Sequence, residues 1–247
     1  MKSALLAMVA ALVAAGLPSG AMAGDVRPKA VVELFTSQGC YSCPPADAAL
    51  EKLAQEDDVL ALAFHVDYWN YLGWADTLSS HENTERQYGY AATLRRSNVY
   101  TPQAVVNGRI ETVGSRLSEI KTQTSALAAN GEGLSVPVTA DMKDGKISIA
   151  VGPGNGNADI VVAYFKRRQD VRIERGENAG KTISYWNSVV KLSTVGMWDG
   201  QATTVKLPMS VLEGKDYDGC AILLQTYNER GEPGAILGAT SIVYEDS

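Results

Sequence analysis

The stretch Phe35-Thr36-Ser37-Gln38-Gly39-Cys40-Tyr41-Ser42-Cys43-Pro44-Pro45 constrains the chain more than any other. It sets two cysteines three positions apart, after an apolar run that includes Val31, Val32, Leu34 and Phe35. A segment follows in which Ala46, Ala49, Leu50, Leu53 and Ala54 recur at the spacing of one helix face. Strand, Cys-x-x-Cys, helix is the context in which such a pair reads as a redox dithiol rather than as half of a zinc site. Proline is tolerated in the first helical turn, so Pro44 and Pro45 predict a regular helix starting near Cys43, with Cys40 in the loop before it. Unsatisfied N–H groups at that helix end favour a thiolate. Cys40 is therefore expected to be the more exposed, attacking thiol and Cys43 the buried, resolving one. The rival reading is a plain stabilising disulfide. A loop this small constrains the unfolded chain by only about 2 kcal/mol, and structural bridges usually join distant segments.

The chain alternates strand and helix up to about residue 130. Val59 to Val66 is a nearly continuous apolar run, expected of a strand covered on both faces and parallel to the first. Ser79 with Glu82 reads as a capping box that opens a helix running to about Arg95. Asn107-Gly108 between short apolar runs predicts a hairpin, and a further helix runs from Leu117 to Asn130. Beyond the joint Asn130-Gly131-Glu132-Gly133 the pattern changes. Strands are expected at 134–142, 146–151, 158–166, 184–192, 202–207, 221–227 and 235–244, which suggests a β-sandwich.

The amino terminus carries a basic start at Lys2, an apolar segment from Ala4 to Leu17 and the small-x-small site Ala21-Met22-Ala23. Residues 1–23 read as a secretory signal peptide, which predicts a periplasmic or secreted protein with no membrane-spanning segment after its removal. A net charge of −6, with its basic residues scattered, argues against nucleic-acid binding. Three cysteines leave Cys220 over if Cys40 and Cys43 pair; it opens an apolar strand and reads as a small buried residue. The loop from Arg175 to Lys181 is polar and Gly-rich but lacks the strand-then-helix setting of a phosphate loop, so it reads as a long turn.

With these elements in hand, the first half resembles the thioredoxin fold. The likeness rests on the strand Val31–Phe35, on Cys40-x-x-Cys43 and its helix, and on Thr101-Pro102 before the hairpin. Val32 to Cys40, Cys43-Pro44-Pro45-Ala46-Asp47, His65-Val66-Asp67-Tyr68-Trp69 and Tyr100-Thr101-Pro102-Gln103 are similar to a family of secreted bacterial thioredoxin-like proteins of unknown function. The resemblance implies an α/β thioredoxin-like domain over 24–130 followed by an all-β, sandwich-like domain over 134–247. It also implies that Pro102 is a cis-proline packed against the dithiol. The chemistry implied is thiol–disulfide exchange with protein thiols or a redox partner protein, with Thr101, Pro102 and Tyr41 contacting the partner chain. No cofactor is expected beyond a redox-active Cys40–Cys43 disulfide.

The chain departs from ordinary thioredoxins in three respects. Gly39 stands where a Trp usually precedes the first cysteine, the spacer is Tyr41-Ser42, and an aromatic insert holds Tyr68, Trp69, Tyr71 and Trp74. The buried acid of thioredoxins falls at Leu34, and Glu33, one residue away, points to the opposite face of the strand. His65, Asp67 and Glu33 are the candidates for proton transfer, while His81 is expected at the surface. The insert reads as a satellite core or as a roof over the dithiol. Two alternatives to an oxidoreductase remain. One is a non-catalytic envelope binding protein on this scaffold. The other is a copper-binding thioredoxin-like chaperone using the cysteines and His65, against which the two-residue cysteine spacing and the lack of a Met- or His-rich tract both weigh.

Overall fold

The computed structural model describes residues 27–212 and 217–244; the expected signal peptide, 1–23, lies outside them. The first part of the chain runs β1 (Ala30–Thr36), α1 (Pro44–Ala54), β2 (Val59–His65), α2 (His81–Thr93), β3 (Gln103–Val106), β4 (Ile110–Val113) and α3 (Leu117–Ala129). The second part supplies β5 (Val138–Lys143), β6 (Lys146–Val151), β7 (Ala158–Arg172), β8 (Thr182–Trp198), β9 (Thr203–Pro208), β10 (Gly219–Tyr227) and β11 (Pro233–Val243). Short 3-10 turns occupy Asn70–Leu72 and Met209–Val211.

Eight strands form one mixed sheet in the order β11-β10-β7-β8-β2-β1-β3-β4, and β5-β6-β9 form a second sheet. β1 and β2 run parallel, from Ala30 opposite Val59 to Thr36 opposite His65, while β3 pairs antiparallel on the other side of β1. Segments 24–130 and 134–247 therefore share the larger sheet. Their strands meet where Ala63 of β2 pairs in parallel with Ser188 of β8.

All seven residues of β1 are buried, as a strand covered on both faces requires. Its alternate side chains divide two cores. Ala30, Val32 and Leu34 pack with Leu50 and Leu53 of α1 and Ile120 of α3. Val31 and Phe35 face Phe64, Tyr90 of α2, and Leu223 and Ile236 from the second part of the chain. The small sheet covers the far end of the large one through a third core that includes Val138, Ile149, Ile160 and Leu224.

β5 begins at Val138 and not at 134, and α2, β7 and β8 also differ from the sequence expectation. α2 is capped by Ser80, whose side chain accepts from Asn83 N, and not by Ser79, which instead donates to Asp76 O and accepts from Asn70. β7 and β8 run 15 and 17 residues, well past the expected 158–166 and 184–192. Their added length is a half-exposed ribbon held by cross-strand pairs, such as Arg168 over the Trp186 ring and Ser184 Oγ to Asp170 at 2.5 Å. Such pairs leave no hydrophobic period to read. The ribbon delivers its tip, residues 173–181, to the loop that carries the cysteines.

Candidate functional site: a buried disulfide over a polar cell

Cys40 and Cys43 are joined in a disulfide. Pro44 opens α1 and Cys43 is its N-cap, its carbonyl accepting from Ala46 N and Asp47 N at 2.8 and 3.1 Å. The expected exposure of Cys40 is not found: Cys40 is 1% accessible and Cys43 0%. Only the positional asymmetry remains, with Cys40 in the turn and Cys43 at the helix end. Cys40 is enclosed because the turn before it is held from three sides. Trp69 lies against Gly39, where an added Cβ would come within 3.1 Å of the Trp69 Cβ, so the aromatic insert occupies the space beside the residue that precedes Cys40. The Trp69 indole donates to Thr101 Oγ1 at 2.8 Å, which ties the insert to the segment before β3. Asn178, from the hairpin tip, donates at 2.9 Å to both Gln38 O and Cys40 O.

Thr101 and Pro102 lie beside the dithiol: Ser42 Oγ is 3.5 Å from both Cys40 Sγ and Thr101 O, and the Thr101–Pro102 peptide bond is cis. Tyr41 is 69% exposed, with Lys181 Nζ 5.3 Å from its ring centre. Tyr71 is exposed, Tyr68 packs against the main core, and Trp74 donates to Gln38 Oε1 at 2.8 Å. The insert thus divides between core and dithiol loop. The Arg175–Lys181 stretch is more than a connecting turn, because Asn178 and Lys181 engage the cysteine segment.

The proton-transfer candidates separate. Glu33 lies on the opposite face of β1, paired with Arg86 at 2.7 Å and accepting from Tyr90 OH; strand alternation keeps it away from the cysteines. Asp67 accepts from Thr84 Oγ1 at 2.5 Å and meets the exposed His81 at 3.3 Å, so it secures the start of α2 and is not a dithiol residue. Leu34 packs in the apolar core under α1. His65 is fully buried, its Nδ1 2.8 Å from Asp76 Oδ2.

The acid near Cys43 is Asp47, which is not among the sequence candidates for proton transfer. Its signal was present in the spacing, since positions i and i+4 share a helix face and helical side chains lean toward the N-terminus. Asp47 is 4% exposed, and its Oδ1 accepts from Thr36 Oγ1 at 2.7 Å. Burial pushes its pKa from 3.8 up to about 7, against the opposing pull of His65 and the Thr36 hydrogen bond. Burial also works against charge on His65 and Asp76. Their pairing outweighs it, raising His65 and lowering Asp76, and Asp76 also accepts from Gln38 N and Leu78 N. Tyr185 of β8 closes the cell edge-on to His65, with ring centres 4.7 Å apart.

Among the described residues no group of three or more His, Cys, Asp or Glu is arranged to hold a metal ion, and no helix is long and apolar enough to cross a membrane. Cys220 is buried without a disulfide partner, and burial pushes its thiol up to about 12.

Fold and site together define a mixed α/β protein that carries a disulfide at a helix N-terminus above a buried carboxylate–imidazole cluster. The chain belongs to the family described as "Protein of unknown function (DUF1223)", matched over residues 31–225. It is similar to the crystal structure of protein AGR_C_4864 from Agrobacterium tumefaciens, with 52% identity and a TM-score of 0.83 over 90% of this chain and 96% of that one. HBP35 of Porphyromonas gingivalis is similar in fold alone, at 14% identity and a TM-score of 0.64, over 88% of this chain and 76% of the other. No curated protein matches the chain.

Proposed function

We propose that the protein is an exported thiol–disulfide oxidoreductase that acts on protein thiols through Cys40 and Cys43. The observation that carries this reading is Asp47, a buried carboxyl with a pKa near neutral, one helical turn from Cys43 on the same face. A carboxyl that can hold or release a proton near neutral pH at this position is what proton exchange with the second cysteine requires. In this reading β1–β4 with α1–α3 form a thioredoxin-like domain over 24–130, and 134–247 a sandwich-like domain. A partner thiolate attacks Cys40 Sγ, the Cys40–Cys43 bond breaks, and its electron pair leaves on Cys43, which takes a proton from Asp47. A second thiolate of the partner then attacks its mixed-disulfide sulfur and displaces Cys40, leaving the partner oxidised and the pair reduced; in the opposite direction Cys43, with Asp47 as base, attacks Cys40 Sγ and releases a reduced partner. Thr101, Pro102 and Tyr41 border Cys40 and would hold the partner chain.

The test is capture. A Cys43→Ala variant expressed with its amino terminus intact retains partners on Cys40, seen as bands on a non-reducing gel that vanish on reduction and are absent from Cys40→Ala. No captured partner would leave the second reading, a non-catalytic envelope binding protein, which the burial of both sulfurs favours. Amino-terminal sequencing of the mature protein checks export, with Gly24 expected as the first residue.

A further inference from the structure

Three buried polar atoms beneath α1 have no hydrogen-bond partner: Asp47 Oδ2, His65 Nε2 and the Tyr185 hydroxyl. They come from three elements that pack together, α1, β2 and β8: Asp47 is bonded to Thr36, Thr36 lies opposite His65 in the β1–β2 register, and the His65 and Tyr185 ring centres are 4.7 Å apart. Buried polar atoms are ordinarily paired, so three together call for an explanation. The groups facing this region are Thr36 from β1, His65 from β2, Asp76 from the following loop, Tyr185 from β8 and, on α1 itself, Asp47, which lies one helical turn beyond the Cys43 N-cap. Burial keeps the Tyr185 phenol neutral, so the charges available are those of Asp47, His65 and Asp76.

A charge count explains the arrangement. Asp76 accepts two backbone N–H bonds as well as the His65 bond, a set that suits a carboxylate. With His65 an imidazolium and Asp47 carrying its proton on the unpaired Oδ2, the interior is neutral. When Asp47 gives that proton to the departing Cys43 sulfur, a single negative charge remains, next to an imidazolium. With a neutral His65 the same step would leave two carboxylates uncompensated in a fully buried space, which is costly.

We propose that His65, held as an imidazolium by Asp76, is a positioning residue for Asp47: it supplies the counter-charge that sets the pH at which Asp47 exchanges its proton with Cys43. The proposal rests on the oxidoreductase reading above and gives it a built-in pH dependence. In the balanced step the partner thiolate sulfur bonds to Cys40 Sγ and is oxidised, while Cys43 Sγ receives the electron pair of the broken bond and is reduced. The proton moves from Asp47 Oδ2 to Cys43, and His65 and Asp76 keep their charges. Asp76 also accepts from Gln38 N in the cysteine loop, so the counter-ion is anchored to the site that it serves.

The experiment uses the full-length oxidised protein reduced by dithiothreitol, with rates expressed per dithiothreitol thiolate across pH 5–9. In the wild type the rate falls as Asp47 loses its proton, and Asp47→Asn removes that fall. His65→Asn withdraws the positive neighbour, favours protonated Asp47, and moves the fall to higher pH by about one unit. Tyr185→Phe leaves it in place. A fall that stays in place in His65→Asn overturns the proposal while the role of Asp47 stands. A wild-type disulfide that does not react with the thiol overturns the oxidoreductase reading itself. A second measurement needs no altered core. The chain has two histidines, so side-chain nitrogen NMR with His81→Asn for assignment reads His65 alone. An imidazolium signature at pH 7 is expected in the oxidised protein, and a neutral imidazole there overturns the proposal.

Discussion

At the scale of single residues, Asp47 has the largest consequence. Its carboxyl titrates near 7 when folded and near 3.8 in the unfolded chain, so between those values the folded state binds more protons. Stability from this group therefore falls as pH rises from about 4 to about 7 and stays low above that range. His65 has the same sign, because its folded pKa is raised: its contribution is present below 6.5 and is lost as pH rises through the folded value. Asp76, lowered on folding, has the opposite sign, and its contribution is lost only as pH falls below 3.8. Replacing Asp47 with Asn removes one of these terms. The oxidised Asp47→Asn protein is expected to gain stability relative to wild type on going from pH 4 to pH 8, by on the order of 3 kcal/mol, read from urea denaturation at the two pH values.

At the scale of elements, the β7–β8 hairpin and the cysteine loop form one unit through Asn178. Its amide is 1% exposed and gives both its hydrogens to carbonyls of the loop, while its own oxygen accepts from Lys181 Nζ at 2.8 Å. Asn178→Ala leaves the buried Gln38 carbonyl without a donor and the Cys40 carbonyl with only the Cys43 N–H at 3.2 Å, and is expected to cost about 1–3 kcal/mol. The Gln38 and Cys40 region should also exchange amide hydrogens faster, measured by hydrogen–deuterium exchange. None of this was legible in the sequence, and the reason is physical. β1, α1 and β2 announced themselves through continuous burial and helical period, and so did the cores of the later strands. The outer ribbon of β7 and β8 is held by cross-strand pairs, and Asn178 acts through backbone carbonyls, which no side-chain pattern records. Asp76 sits in an irregular loop and gave no signal either. Asp47 gave a weak one, as a carboxylate on the buried stripe of α1 formed by Ala46, Ala49, Leu50 and Leu53.

At the scale of the whole molecule, a buried polar knot joins the two parts of the chain on the face of β1 away from the disulfide. Arg86 of α2 pairs with Glu33 at 2.7 Å and donates to Gln225 Oε1 of β10 at 2.8 Å, with Tyr90 completing the set. The guanidinium lies 5.1 Å from the ring centres of both Phe64 and Tyr90. Removing one partner strands the other charge in the interior, so Arg86→Ala is expected to cost about 3–5 kcal/mol in chemical denaturation. The Glu33→Leu, Arg86→Met double variant should lose less than Arg86→Ala alone, because no charge is left behind. Glu33, a proton-transfer candidate because it lies one residue from Leu34, where the resemblance puts a buried acid, thus has a structural place in the interior.

The Asn178 contacts also bear on the order in which the molecule is made. Cys40 and the amide that covers its carbonyl are 138 positions apart, and synthesis runs from the amino terminus. A growing chain presents both thiols before the ribbon exists to close over their loop. Until the ribbon is made, that loop lacks the two hydrogen bonds that hold it in the finished protein. One sequence thus gives the same two sulfurs a differently held loop at birth and at maturity.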